Sequence, residues 1–167
     1  MIANEPDKPL RILLLDGDHH VALFVARCLS AVPGIRIHAL SSKARSPLRW
    51  SRYCRAFHTH NAKDDRSLLD HIRQVVVEHK IDVLMPVMEQ GVEFISRHTN
   101  DLAGMVSIPP VPSLEALHTA VDKGSLARFA RAHNIPVPTT VVFDGTSETK
   151  SRAESLTYPV VVKPRRG

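Results

Sequence analysis

Cysteine is scarce: the 167 residues contain two, Cys28 and Cys54. They make neither a Cys-x-x-Cys pair nor a disulfide framework. Neither sits where a helix start or a basic neighbour would clearly activate its thiol, so both are expected to be buried small residues, Cys28 in a helix and Cys54 in a strand. Glycine is also rare, with seven in the chain. After the first apolar run, where a dinucleotide site would need several glycines to admit a pyrophosphate, Asp16-Gly17-Asp18-His19-His20 supplies one glycine and two acids. That argues against NAD, and it assigns the acids to capping the helix that follows. Long hydrophobic runs are missing too. Arg27 or Pro86 interrupts each apolar stretch well short of a bilayer span, and Met1-Ile2-Ala3-Asn4-Glu5-Pro6-Asp7 lacks the basic start and apolar block of a signal peptide. No membrane partner is expected, and the expected compartment is the cytoplasm.

What is present suits a globular protein of one full domain and part of another, with 43% apolar residues to build a core. The net charge is +5, and Lys43, Arg45, Arg49, Arg52 and Arg55 form a basic cluster around Trp50 and Tyr53 with no acid between them. No nucleic-acid motif surrounds this cluster, so it reads as a solvated loop that could also attract a phosphorylated or carboxylate ligand, and no nucleic-acid partner is expected.

Residues 11–16 form a short apolar run stopped by Gly17, and residues 21–31 are apolar nearly all round before Pro33-Gly34. This is a buried strand, a helix and a stop. Ile35, Ile37 and Ala39-Leu40 predict a second strand ending at Ser41-Ser42, and residues 53–58 a third. Asp64-Asp65 opens a helix with Leu68, Leu69, Ile72, Val75 and Val76 on one face and His79-Lys80 at its end, acids and bases both suiting the helix dipole. A strand over 82–87, a short helix over 89–98 and a last strand over 105–108 follow, then Pro109-Pro110 and Pro112 as a linker. The alternation predicts an α/β fold, a Rossmann-like parallel sheet covered on both faces. Ligands of such sheets gather beyond the carboxyl ends of the strands, which makes Asp16, Gly17, Ser41 and Glu89 the substrate-side candidates. Past the linker the pattern predicts a helix over 122–134, a strand over 139–143, a helix over 147–156 and a strand over 158–163.

Ten histidines invite a metal search. His58-x-His60 would put two imidazoles on one face of a strand, but no third ligand at suitable spacing is evident, and no metal site is expected. Glu89 and Glu93 could meet a substrate amine, although a solvated helix face explains them as well.

Two lysines stand out. Lys123 lies in the first turn of a helix, where a cation opposes the dipole, and Lys163 ends a run of three valines, where an unpaired buried ammonium would be costly. An anionic ligand would account for both. The stretch from Pro112 to Pro164 carries Pro112-Ser113-Leu114-Glu115-Ala116-Leu117, then Asp122-Lys123, then Ile135-Pro136-Val137-Pro138, and finally Tyr158-Pro159-Val160-Val161-Val162-Lys163-Pro164. In this it resembles the entry into the nucleotide site of the ATP-grasp superfamily, the ATP-dependent carboxylate ligases that include biotin carboxylase and carbamoyl-phosphate synthetase. The resemblance implies a Rossmann-like pre-ATP-grasp domain over 1–112, and a linker helix with the first part of an ATP-grasp domain over 113–167. It implies that Lys123 and Lys163 contact ATP phosphates. It also implies Mg²⁺ held by acids downstream of these residues, and small carboxylate and amine substrates joined through an acylphosphate; separately, an exposed strand edge past residue 122 makes a homodimer one expected assembly. A chain with only the first piece of the nucleotide clamp is expected to be the amino-terminal portion of such a ligase and inactive alone.

A receiver-like signalling module is the alternative. Asp16 and Asp18, then Asp82 to Glu89, then Lys163-Pro164 resemble the metal-binding acids, acceptor aspartate and lysine of a response-regulator receiver. Against it, Asp82 begins its strand instead of ending one, and the gaps to Asp18 and to Lys163 are longer than one compact receiver needs.

Overall fold

The computed structural model describes residues 8–166. The chain divides into two compact units between Val111 and Pro112. In the first, β1 (Leu10–Leu14), α1 (His20–Leu29), β2 (Ile35–Ser41), β3 (Ala56–Thr59), α2 (Asp65–His79), β4 (Val83–Met85) and α3 (Glu89–Leu102) follow one another, with a single 3₁₀ turn at Pro47–Trp50 before β3. The strands form a parallel sheet in the order β3-β2-β1-β4. Ser107 adds one parallel bridge to Val83 on the far side of β4. The strand expected over 105–108 is reduced to that bridge, because Pro109 and Pro110 cannot donate to a ladder. This order is that of the Rossmann fold and differs from the 2-1-3-4-5 order of receivers.

Alternation along β1 explains both layers. Ile12 and Leu14 point toward α1 and pack with Ala22, Ala26, Ile37, Ala39 and Leu48. Leu13 and Leu15 point the other way, onto Leu69, Ile72, Val75 and Val76 of α2 and Phe94 and Ile95 of α3. A strand buried on both faces has no polar side, hence the unbroken Ile-Leu-Leu-Leu run. Helix α2 begins where Asp64 accepts from the Ser67 amide at 2.8 Å and the Ser67 hydroxyl accepts in return from the Asp64 amide, and it ends at Lys80 in the left-handed conformation. Helix α3 runs past its expected end, through a kink at His98, to Leu102.

Two local expectations fail here. Cys28 is exposed on α1, not buried, and Cys54 precedes β3 instead of lying in it. The half-buried Cys54 Sγ donates to the Ala56 carbonyl at 3.1 Å, and burial pushes its pKa up to about 11, so it is an inert thiol.

The second unit contains α4 (Leu114–Val121), α5 (Lys123–Ala132) and α6 (Ser147–Glu154), and no strand among the described residues. The strands expected over 139–143 and 158–163 are therefore not formed. A valine run favours a strand only where a neighbouring strand can pair with its backbone, and within this unit none does. Val161 and Val162 are 80% and 92% exposed, and Lys163 is exposed with them, so the cost of a buried ammonium does not arise. No helix among the described residues is long and apolar enough to cross a membrane.

Candidate functional site

In the first unit the carboxyl ends of the strands bring most of the expected substrate-side residues together, though in roles that are largely structural. Asp16 does not cap α1; His19 does, its ring nitrogen accepting from the Val21 amide at 3.3 Å. The Asp16 carboxylate instead spans the sheet to accept from the Met88 amide at 2.9 Å and the Val87 amide at 3.2 Å, which ties the end of β1 to the loop between β4 and α3. Burial raises its pKa and those two donors oppose the rise. Gly17 donates to the Leu40 carbonyl at 2.8 Å and its own carbonyl accepts from the Ser46 hydroxyl at 2.6 Å. The Ser41 hydroxyl, 1% exposed, is committed to the backbone of Lys43, donating at 2.9 Å and accepting at 3.0 Å. Glu89 stands exposed in the first turn of α3. Asp18 pairs with Lys43 at 3.2 Å, so one charge of the basic cluster is neutralised locally.

In the second unit the residues around both lysines meet. Asp122 caps α5, accepting from the Ser125 amide at 2.7 Å, and its other oxygen pairs with Arg165 at 2.7 Å. The Lys123 amide donates to the Arg165 carbonyl at 3.1 Å, with its ammonium 3.5 Å from the same oxygen. Arg165, two positions beyond Lys163, thus lies across the start of α5. Gly124 leaves room for Val142: a Cβ there would stand 2.9 Å from the Val142 side chain and 3.3 Å from the Asp122 carboxylate, but at an ordinary 3.5 Å from Arg165. The two donors and the guanidinium hold the Asp122 carboxyl down at about 2, so it is ionised throughout the neutral range. Because the Lys123 and Ser125 amides are already bonded to Arg165 and Asp122, a phosphate here would be met by side-chain cations such as Lys123 and not by those two amides. That donor set suits a polyanion. It offers Mg²⁺ no free carboxylate, since Asp122 is engaged by Arg165.

Sequence reasoning missed a third imidazole. His58 and His60 both face α2, yet they meet different partners there: the His60 ring lies tilted 6.1 Å from that of His71, and the His58 ring tilted 4.5 Å from that of His79, the last residue of the helix. His38 of β2 completes the second group, its Nδ1 3.1 Å from His58 Nε2. Positions 38, 58 and 79 have no common spacing in the chain, and only the packing of α2 on β2 and β3 unites them.

No protein-family model matches the sequence, and no curated protein matches it. Solved structures do. An L-amino acid ligase from Bacillus licheniformis shares 18% identity at a TM-score of 0.67, covering 97% of this chain and 38% of that one. The biotin carboxylase domain of the Hydrogenobacter thermophilus 2-oxoglutarate carboxylase, in complex with MgADP, ADP and bicarbonate, shares 16% at 0.61, covering 96% and 36%. Biotin carboxylase from Campylobacter jejuni, in a β,γ-ATP complex, shares 17% at 0.56, covering 89% and 34%. The chain therefore spans little more than a third of the length of these structures. In fold, it is similar to the amino-terminal portion of ATP-grasp ligases.

Proposed function

We propose that this chain is the amino-terminal portion of an ATP-dependent carboxylate–amine ligase. Residues 1–112 would be its pre-ATP-grasp domain, and 113–167 the linker helix and first part of the nucleotide clamp. The observation that carries the reading is the contact between the start of α5 and Arg165, where the Lys123 amide reaches the Arg165 carbonyl at 3.1 Å. Lys163, two positions before Arg165, would come to the same surface as Lys123, and each would meet an ATP phosphate. The exposed valines before Lys163 support the same reading, because a β-prone segment lacking a ladder partner within its unit is suited to a larger sheet.

In the reaction, a carboxylate oxygen of the acid takes the γ-phosphoryl group, ADP leaves, and the amine then attacks the acyl carbon and expels phosphate. Positioning and charge neutralisation carry most of phosphoryl transfer, so the part of Lys123 and Lys163 is to hold the triphosphate. Mg²⁺ would neutralise the developing charge when bound. Asp16, Gly17, Ser41 and Glu89 stay on the substrate side, with Glu89 the most accessible for an amine. A homodimer is the proposed assembly.

Residues 1–167 alone would supply only part of the phosphate shell, so they should release no ADP with any acid and amine and bind nucleotide with about millimolar affinity at best. A protein that contains this chain within a complete ligase should release ADP only when acid and amine are both present, and Lys123→Ala should lower that rate by about 10-fold or more. ADP release by the longer protein that never depends on an acid, or that is indifferent to Lys123→Ala, would refute the reading.

A further inference from the structure

His38, His58 and His79 lie on the face of the sheet that α2 covers, beside the amino-terminal ends of the strands. Asp16 and Ser41 occupy the opposite, carboxyl ends. One ring nitrogen from each histidine falls within 4.8 Å of the other two. A dication 2.0–2.1 Å from each of three imidazole nitrogens in tetrahedral array needs those nitrogens about 3.4 Å apart, and the His38–His58 pair already stands at 3.1 Å. Small rotations of the other rings would close the set. We propose that these three histidines form a zinc site with an open fourth position.

Two further observations support it. Among the described residues the three rings share one hydrogen bond, between His38 and His58 at 3.1 Å, and a cation between them would use a lone pair of each ring. The Glu78 carboxylate stands 3.7 Å from His79 Nε2, where a small movement would let it accept the second ring proton, as carboxylates do behind metal-bound histidines.

The surroundings define the fourth ligand. The cleft beside the cluster is lined by Arg11, Arg36, Arg55 and Lys80. These charges disfavour a bare dication, and they favour one carrying an anion such as hydroxide or a small carboxylate. Arg11 Nη1 is buried with no hydrogen-bond partner among the described residues, a donor that an anion on the metal would satisfy.

The test is a titration of chelator-treated protein with Zn²⁺ against a chromophoric competitor, with Co²⁺ absorption as a reporter of coordination. One equivalent should bind with micromolar or tighter affinity, and Co²⁺ should give the intense visible bands of a four-coordinate ion. His58→Ala and His79→Ala, chosen because His38 is 6% exposed and part of the packed core, should each weaken binding by about 100-fold or more while circular dichroism stays that of the folded protein. Should either variant unfold, His58→Gln and His79→Gln replace them. The paired change His60→Ala with His71→Ala should leave affinity unaltered. Failure to bind zinc at this affinity, binding that survives loss of His58 or His79, or binding that disappears with His60 and His71 would each overturn the assignment.

Discussion

At the scale of single residues, the close approaches in this protein explain more than its charges do. Gly17 is the glycine that a search for a phosphate loop would single out, yet its backbone packs against β2. A Cβ there would come within 2.8 Å of the Leu40 carbonyl oxygen and 3.3 Å of the Ala39 side chain, both in the buried centre of the sheet. Backbone in a central strand cannot retreat, so Gly17→Ala should destabilise the protein by about 1–3 kcal/mol. The change should appear as a lower urea midpoint at unchanged slope, and an unaltered midpoint would show that the strand yields. Asp16 teaches the same lesson. It was legible as an acid at a strand end, but its partners, the amides of Val87 and Met88, lie 71 and 72 residues away. Local capping logic had no means of preferring them over α1. His79 was legible as a favourable cation at a helix end, and its place beside His38 and His58 depends on how α2 crosses the sheet, which periodicity does not encode.

At the scale of elements, legibility followed burial. The Ile-Leu-Leu-Leu run identified a strand packed on both sides within the first unit, and the apolar face of α2 with the acids at its start identified a helix packed on one. In the second unit, helices were expected over 122–134 and 147–156 and are found as α5 and α6, while the two strands were not realised. The residues of 158–163 do have strand propensity; what the unit lacks is a neighbour with which to express it. The cap of α5 is the element whose chemistry is most exposed to test. The Asp122 carboxyl titrates at about 2 in the fold against an ordinary 3.8, so the fold prefers the ionised form. Its contribution is fully present above pH 3.8 and disappears as the pH falls toward 2. Amide exchange across α5 should accelerate in that window. In Asp122→Asn, exchange should be faster at neutral pH and show no further acceleration there, and a wild-type profile without such a step would contradict the ion pair with Arg165.

At the scale of the whole molecule, the order β3-β2-β1-β4 with α/β layering was legible as a fold class, and the order itself required coordinates to separate a Rossmann sheet from a receiver. The prolines at 109, 110 and 112 bracket the division at Val111 and Pro112. Two lysines that looked anomalous for local reasons turn out to be ordinary in burial, and the contact at the start of α5 is made by Arg165, two positions beyond Lys163. The central claim is that this surface holds a triphosphate, and weak binding there is best seen residue by residue. Titrating ¹⁵N-labelled protein with MgATP into the millimolar range should shift the amides of Lys123, Gly124 and Ser125 together with those of Val162, Lys163 and Arg165, and Lys123→Ala and Lys163→Ala should each reduce the shifts at both segments. Shifts confined to other parts of the chain, or shifts at these amides that persist in both variants, would contradict the account.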